Sequence, residues 1–380
     1  MPKPVEDQVV VITGATSGVG RACVRAFGSR GAKVGLIGRG EEALTVAAGE
    51  VQQAGGEALL LPLDVSDSDA VEDAAAKVER QWGRIDTWVN DAMVTMLAPA
   101  LEMSMEEFRQ ITNVNYLGSV YGTMAALKRM VPRDDGTVIQ VCSALAYRSI
   151  PLQSAYCASK AAMRGFSDSV RTELLHDGSK VQVSVLILPA VNTPQFNHVK
   201  SLMPRHPQPV PPIYQPELIG RAAVYASEHR VREMTIGWGA LKATLGQKLL
   251  PGLLDHYLAK VGYESQMTDQ PVSSDQPNNL YAPVSGDPGC HGAFDARSRG
   301  GSAQYWLRTH PLLLAAAGAG TAALGSLTAK TGGGKLSQLA AVALTKVGPD
   351  ASSDHLLNRE GRTSGLLRRV WEDVRTELPK

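Results

Sequence analysis

The chain has 380 residues, a hydrophobic fraction of 44% and a formal net charge of +1, enough material for one large domain with an extension or for two domains. The near-neutral balance argues against a nucleic-acid-binding protein, which would carry an excess of basic residues. The four cysteines are scattered, so we expect a reducing compartment and no metal site. Cys290 and His291 adjoin in a loop-like stretch, but an isolated pair is too little to predict metal binding. The polar N-terminus predicts no secretory signal and therefore a cytoplasmic protein.

A glycine-rich turn joins the first predicted strand to the first predicted helix. Residues 8–13 form a short apolar, β-branched run that is typical of a central parallel strand. Gly14-Ala-Thr-Ser-Gly18-Val-Gly20 follows at once, and residues 21–28 have helical spacing. Glycines permit a tight turn, and the helix N-terminus offers N–H groups to a pyrophosphate. Strand, turn and helix together indicate a dinucleotide-binding site.

Arg39 follows the second predicted strand, residues 33–37. An NAD-type site would place an acidic residue here to bind the ribose hydroxyls, whereas a guanidinium suits the 2′-phosphate. The sequence therefore favours NADP(H) over NAD(H). The alternative is an ordinary solvated surface arginine.

Strands and helices continue to alternate along the first half of the chain. Further strands are predicted at 58–63, 84–90, 136–142 and 181–188, and helices at 41–54, 68–82, 105–130 and 156–176. This alternation predicts an α/β fold with a doubly wound parallel sheet of the Rossmann type, followed by a C-terminal helical or irregular extension. Ligands of such sheets bind at the carboxyl ends of the strands. The candidate residues expected at that edge are Thr13–Gly20, Arg39, Asp64, Asn90, Ser143 and Thr193.

Tyr156 and Lys160 are four residues apart, which places both side chains on one face of a helix. A neighbouring ammonium favours the phenolate and would lower the tyrosine pKa, so the pair could exchange a proton near neutral pH. Ser143 ends a predicted strand, where its hydroxyl could hold a substrate oxygen. Taken singly, the Tyr-x-x-x-Lys spacing is common by chance and a serine after a strand is usually a turn or helix cap.

Together these motifs resemble the short-chain dehydrogenase/reductase family over about the first 250 residues. The glycine motif is matched from Thr13 to Gly20, and the family's tetrad is matched by Asn115, Ser143, Tyr156 and Lys160. The resemblance implies that Tyr156 is the acid/base, that Lys160 lowers its pKa and holds the nicotinamide ribose, that Ser143 orients the substrate oxygen and that Asn115 holds a relay water. The cofactor-binding residues it implies are Gly14, Thr16, Ser17, Gly18, Val19, Gly20, Arg39, Asp64, Val65, Asn90, Ala92, Tyr156, Lys160 and Thr193. It also implies a small-molecule carbonyl or alcohol substrate and a homo-oligomer. Within the family the chain is similar to an uncharacterised bacterial subgroup with a long C-terminal tail.

Two positions depart from the family pattern. The family's Asn-Asn-Ala-Gly is Asn90-Asp91-Ala92-Met93 here, so the backbone approach to the cofactor should differ. The Pro-Gly that usually follows the sixth strand is Leu188-Pro189 here, and proline supplies no N–H for a cofactor contact.

The second half of the chain is less regular. Residues 198–214 are rich in proline and correspond to the substrate lid of the family, with a plain surface loop as the alternative. We expect a catalytic domain over 1–262, a Pro/Gly-rich arm or linker over 263–310 and a helical tail over 311–380. The apolar segment 311–328 is short for a membrane span, so membrane contact, a packed helix and disorder all remain open.

The sequence therefore predicts an NADP(H)-dependent oxidoreductase that interconverts a carbonyl and an alcohol by hydride transfer. The alternative from another class is a dinucleotide-binding scaffold or sensor whose tail docks on a partner or a membrane. Turnover distinguishes the two, because a scaffold has no need of Tyr156 and Lys160.

Overall fold

The computed structural model describes residues 3–272 and 276–310, so the predicted tail with its apolar segment 311–328 lies outside the described residues. The chain divides into two compact units, Met1–Ser302 and Ala303–Lys380. The described part of the second unit contains one helix, Ala303–Thr309. Among the helices of the described ranges, none is both long enough and apolar enough to cross a membrane.

A seven-stranded parallel sheet forms the centre of the first unit. Its strands are β1 Val9–Thr13, β2 Lys33–Gly38, β3 Glu57–Pro62, β4 Thr87–Asn90, β5 Thr137–Ser143, β6 Gln182–Leu188 and β7 Glu233–Thr235. They lie in the order β7-β6-β5-β4-β1-β2-β3, and every pairing is parallel. Strands β1, β4 and β5 are buried along their whole length, as expected where helices cover both faces of a sheet. The predicted doubly wound Rossmann-type fold is confirmed.

Helices connect the strands and cover both faces of the sheet. In chain order they are α1 Gly18–Gly28, α2 Glu41–Gln53, α3 Ser68–Trp82, α4 Met105–Thr112, α5 Gly118–Met130, α6 Ser154–His176, α7 Gln195–His198, α8 Pro216–Glu228, α9 Trp238–Leu249, α10 Pro251–Val261 and, in the second unit, α11 Ala303–Thr309. The helices predicted over 105–130 are α4 and α5, joined by a π-helical turn at Asn113–Leu117. The apolar stretch 247–261 is divided between α9 and α10, because Pro251 cannot continue a helix and instead begins the next one.

The region after β6 is held by short strands. Met96–Leu97 pairs with Lys200–Ser201, and Arg205–Pro207 pairs with Met267–Pro271. Ile213–Tyr214 lies between Ala190–Val191 and Ser298–Arg299. Single 3₁₀ turns lie at Val5–Asp7, Val131–Arg133, Ala144–Ala146, Glu264–Gln266 and Asp295–Arg297. Of the arm or linker predicted over 263–310, the described residues up to 302 thus belong to the first unit and are attached to the predicted lid by strand pairs.

Helix α5 packs closely on the end of β4 through a glycine. A Cβ atom at Gly122 would lie 2.4 Å from Oδ1 of Asn90 and 2.6 Å from Nε1 of Trp88, and both of these side chains are buried. Gly49 in the middle of α2 has no such neighbour within 4 Å. The two helical glycines therefore differ in packing and not in backbone conformation.

We expect Gly122→Ala to lower the free energy of unfolding by about 1–3 kcal/mol, because the added methyl group must displace two buried side chains. Gly49→Ala, its matched control, should raise it by about 0.5–1 kcal/mol through helix propensity and reduced entropy of the unfolded chain. Urea unfolding followed by circular dichroism measures both. Equal effects of the two substitutions would contradict the packing argument.

Candidate functional site

A large cavity opens at the carboxyl ends of the central strands. Its volume is about 660 Å³, within the usual range for ligand sites. It extends from the Gly14–Gly18 turn to Tyr156 and Lys160, and then outward to the predicted lid and to α9 and α10. The location at the carboxyl edge agrees with the general position of ligands in doubly wound sheets.

The glycine-rich turn forms the floor of one end of this cavity. Gly14 has a φ of +73°, and a Cβ atom there would lie 2.9 Å from Cα of Ala92. Gly18 has a φ of +54°, and its Cβ atom would lie 3.0 Å from Cβ of Thr193. Only glycine combines this conformation with this closeness. The turn delivers the N-terminus of α1 to the cavity, where its N–H groups suit the phosphates of a dinucleotide.

Ser143, Tyr156 and Lys160 line the same cavity. Ser143 is the last residue of β5, and the other two residues lie on one face of α6. Nζ of Lys160 lies 5.8 Å from the centroid of the Tyr156 ring and donates a hydrogen bond to the Val141 carbonyl at 2.8 Å. The helix spacing therefore places phenol and ammonium together as expected.

The predicted lowering of the Tyr156 pKa is wrong for this structure. Burial raises the pKa of Tyr156 well above its usual range, and a hydrogen bond with Ser143 only partly opposes this effect. Burial likewise lowers the pKa of Lys160, whose ammonium is bonded to a main-chain carbonyl. The cost of removing a charged phenolate from water exceeds the stabilisation by nearby groups, so the phenol is protonated at neutral pH.

Two predicted asparagines lie behind the cavity wall instead of on it. Asn115 is fully buried in the π-helical turn, where its amide accepts a hydrogen bond from Val94 N at 2.8 Å and donates one to Val94 O at 2.9 Å. Asn90 accepts a hydrogen bond from Nε1 of Trp88 at 2.9 Å. Asn115 thus fixes the loop that follows β4. Asn90 instead joins the end of β4 to α5, because its amide donates hydrogen bonds to the Ser119 carbonyl and the Thr123 hydroxyl.

Asp91 is the departure from the family pattern with the clearest physical effect. It is buried and lines the cavity, and its carboxylate accepts a hydrogen bond from the Gly20 N–H group. Burial raises the pKa of Asp91 to about 7, although Lys160 and this hydrogen bond act in the opposite direction. Met93 and Pro189, the other departures, also line the cavity.

Arg39 lies at the end of β2 on the cavity wall, but it already has partners. It donates hydrogen bonds to the carbonyls of Asn279 at 2.6 Å and Tyr281 at 3.0 Å. The nearest oxygen of Asp64 is 3.6 Å away. A guanidinium has five N–H donors. The carbonyls therefore hold Arg39 in place while further donors remain for a phosphate.

The segment 276–302, which we name the arm, covers this end of the cavity. The Gly289 carbonyl accepts a hydrogen bond from the Gly18 N–H at 3.1 Å, and Asp287 forms a 3.2 Å ion pair with Arg21. The composition of the arm resembles that of a linker and hides these contacts. A signal was nevertheless present, because single apolar residues anchor the arm at buried positions: Leu280, Cys290 and Phe294.

Most of the predicted site residues share one cavity. Those on its wall are Gly14, Thr16, Ser17, Gly18, Val19, Arg39, Asp64, Val65, Ala92, Ser143, Tyr156, Lys160 and Thr193. Gly20 lies behind the turn, where a Cβ atom would come within 2.1 Å of the Gly14 carbonyl oxygen, and the two asparagines lie beneath the wall. The residues that line the outer end and that the sequence did not single out include Arg148, Gln153, Phe196, Leu254 and Tyr257.

Comparison with known proteins agrees with this geometry. Residues 8–202 match the family model described as short chain dehydrogenase. The chain is 34% identical over 309 residues to the uncharacterized oxidoreductase YxnA of Bacillus subtilis, covering 81% of this chain and 84% of that protein.

Two solved structures share the fold. An alcohol dehydrogenase from the archaeon Thermococcus sibiricus, complexed with 5-hydroxy-NADP, has 29% identity and a TM-score of 0.54, covering 60% of this chain and 95% of that one. A metagenomic short-chain oxidoreductase in complex with NADP has 27% identity and a TM-score of 0.53, covering 62% and 98%. With its parallel sheet, glycine turn and shared cavity, the chain belongs to the short-chain dehydrogenase family of oxidoreductases.

Proposed function

We propose that the protein is an NADP(H)-dependent oxidoreductase that interconverts a carbonyl and an alcohol. The observation that supports this most directly is the single cavity shared by the glycine turn, Arg39, Ser143, Tyr156 and Lys160. The cavity fits a dinucleotide, because glycines leave room for its phosphates at one end and a phenol stands at the other. When bound, the nicotinamide would supply or accept the hydride.

Side chains of this protein would donate the proton and bind the substrate oxygen. Tyr156 is protonated at neutral pH because burial raises its pKa, so it is suited to donate a proton to the oxygen of a carbonyl substrate. The Ser143 hydroxyl, which is hydrogen-bonded with this phenol, would hold the same oxygen. The Lys160 ammonium lies next to the ring and would stabilise the phenolate that remains after proton transfer. This arrangement equips the site to protonate the substrate oxygen when a carbonyl is reduced.

Arg39 is the residue that we propose determines the preference for NADP(H) over NAD(H). Its guanidinium is on the cavity wall at the end of β2, where the ribose of an adenine nucleotide lies in Rossmann folds. The arm carbonyls reduce the freedom of the side chain before any phosphate binds. An oriented guanidinium loses less entropy on binding a 2′-phosphate, which supports a preference for NADP(H).

The outer end of the cavity suggests the kind of substrate. Its wall contains the apolar side chains of Leu145, Ile150, Phe196, Leu254 and Tyr257. A substrate with an apolar body next to the reacting oxygen would bury that surface on binding. The polar groups at this end, including Gln153 and Arg148, would then select among such molecules.

Tyr156→Phe should lower kcat by about 10²–10⁴-fold, because it removes the proton donor and little volume. The dissociation constant of NADPH, measured by nucleotide fluorescence, should rise by no more than about tenfold, the most expected for one lost neutral hydrogen bond. The activity assay is a panel of apolar aldehydes and ketones, followed by NADPH absorbance.

Tyr147→Phe is the matched control, because the Tyr147 hydroxyl is bonded to Glu233 at 2.6 Å and lies off the cavity wall. Full activity of the Tyr156 variant would refute the proposed role. Nucleotide binding without turnover of any compound by the wild-type protein would support the scaffold alternative.

Arg39→Asp should reduce the ratio of kcat/KM for NADPH over NADH by about 10–100-fold, the range expected for one charge-assisted hydrogen bond to a phosphate. Arg39→Gln keeps hydrogen-bond donors but loses the charge, so its ratio of kcat/KM values should lie between those of Arg39→Asp and the wild type. Steady-state kinetics with both nucleotides tests this, and an unchanged ratio would show that Arg39 does not bind the phosphate.

Asp91→Asn should change how stability depends on pH. Because burial raises the pKa of Asp91 to about 7, the native state retains this proton between about pH 4 and pH 7 while the unfolded state loses it. The stabilisation is complete at low pH and declines as the pH rises through that range, so the wild type should lose stability there relative to the variant. Urea midpoints of both proteins from pH 4.5 to 8 measure the difference. Parallel curves would contradict the raised pKa.

A further inference from the structure

Three potential metal ligands of different chemistry meet where the arm crosses α8. Glu217, Cys290 and His291 each offer one ligand atom, and these three atoms lie within 4.8 Å of one another. Glu217 is in the first turn of α8, and the other two residues are on the arm. Glu217 is more than seventy residues away from the pair, so no local sequence pattern predicts this meeting.

The spacing of these atoms is close to that of a tetrahedral zinc site. Zinc binds sulfur at about 2.3 Å and nitrogen or oxygen at about 2.0–2.2 Å, so a sulfur and an oxygen ligand are about 3.6 Å apart. Sγ of Cys290 is 3.7 Å from Oε1 of Glu217. Nε2 of His291 is only 2.7 Å from that oxygen, a direct hydrogen bond that must open by about 0.7 Å to admit the ion. Both side chains are more than a third exposed and can move.

A carboxylate behind the histidine completes the pattern. Nδ1 of His291 lies 2.9 Å from Oδ1 of Asp295. Histidine ligands of metals usually donate their second N–H to a carboxylate, which fixes the tautomer and presents Nε2 to the ion. Water would supply the fourth ligand, because the histidine and the glutamate are partly exposed.

We propose that Glu217, Cys290 and His291 form a site for a divalent transition metal of the Zn²⁺ class, which fastens the arm to α8. Thiolate and imidazole ligands favour zinc over Mg²⁺ or Ca²⁺, which bind oxygen. On binding, the Cys290 Sγ–H bond breaks, a sulfur–metal bond forms and the proton leaves to the buffer. The thiol also gives up its present 3.4 Å hydrogen bond to the Gly18 carbonyl.

The site lies beside the cavity and does not belong to it. Gly289, which precedes Cys290, accepts the hydrogen bond from the Gly18 N–H at the start of α1. A metal at Cys290 would therefore hold the arm in place next to the N-terminus of α1. The metal site itself does not depend on which reaction the cavity performs.

Titration of the full chain with cobalt and zinc tests the site. The protein is stripped with EDTA, desalted and titrated with CoCl₂, and ZnCl₂ is then added. We expect one cobalt per chain with a thiolate-to-cobalt charge-transfer absorption, followed by its displacement by zinc. The lack of this absorption in the wild-type protein would overturn the proposal, whatever the variants do.

Variants assign the ligands. Cys290→Ser should abolish the charge-transfer band, and Cys290→Ser and His291→Asn should each weaken zinc binding at least tenfold. Cys157→Ser and His229→Asn are the matched controls and should bind as the wild type does. Zinc binding of wild-type strength in Cys290→Ser would place the metal elsewhere and refute the site.

Limited trypsin digestion tests the fastening. Arg297 and Arg299 lie on the arm, a few residues beyond the ligands. Zinc should slow cleavage after these arginines in the wild type and not in Cys290→Ser, as read by the masses of the fragments. Equal cleavage rates with and without zinc would show that the metal does not hold the arm.

Discussion

Close backbone contacts at the glycine turn position the inner end of the cavity. A Cβ atom at Gly20 would lie 2.1 Å from the Gly14 carbonyl oxygen, and one at Gly14 would lie 2.9 Å from the backbone of Ala92. These approaches bring β1, α1 and the loop after β4 into backbone contact, which no side chain larger than hydrogen permits. Thr13 adds to this contact, because its hydroxyl oxygen accepts hydrogen bonds from the N–H groups of Asp91 and Ala92. The start of α1 and the wall of the cavity are therefore positioned by backbone geometry.

Burial shifts the pKa values of the ionisable groups at the inner end of the cavity. Tyr156, Lys160 and Asp91 are all removed from water, and each is shifted toward its neutral form. Asp91 nevertheless acts on both other groups. Its carboxylate raises the pKa values of Lys160 and Tyr156, while the Lys160 ammonium lowers the pKa of Asp91. Asp91, which stands where the family pattern has an amide, thus adds a third ionisable group next to Tyr156 and Lys160. The state of one buried carboxyl influences the other two groups.

The sequence was sufficient for the fold and for the inner end of the cavity because both depend on local patterns. Apolar runs of five to seven residues predict buried strands, and the glycine spacing and the Tyr156–Lys160 interval are short-range features. The pKa of Tyr156 was predicted in the wrong direction because it depends on how deeply the ring is buried, which only the packed structure shows. The composition of residues 276–302 is typical of a linker and hides isolated buried anchors such as Leu280, so the packing of this segment is not predictable from the sequence. Contacts such as Arg39 with Asn279 join residues 240 positions apart, and no local pattern encodes them.

The arm occupies hydrogen-bond donors that a nucleotide would otherwise use. In a bare Rossmann fold, the N–H groups at the start of α1 and the cation at the end of β2 face the solvent until a nucleotide binds. Here the Gly18 N–H already donates to the Gly289 carbonyl, and the Arg39 guanidinium donates to two carbonyls of the arm. A nucleotide that uses these same donors must either displace the Gly289 carbonyl or bind to the donors that remain. Because exchange of one hydrogen bond for another gains little free energy, the arm makes affinity depend on its own attachment as well as on the cofactor. The residues that attach it, from Arg21 with Asp287 to Asn192 with the Phe294 N–H, therefore belong to the physical description of the nucleotide site although they lie outside its motifs.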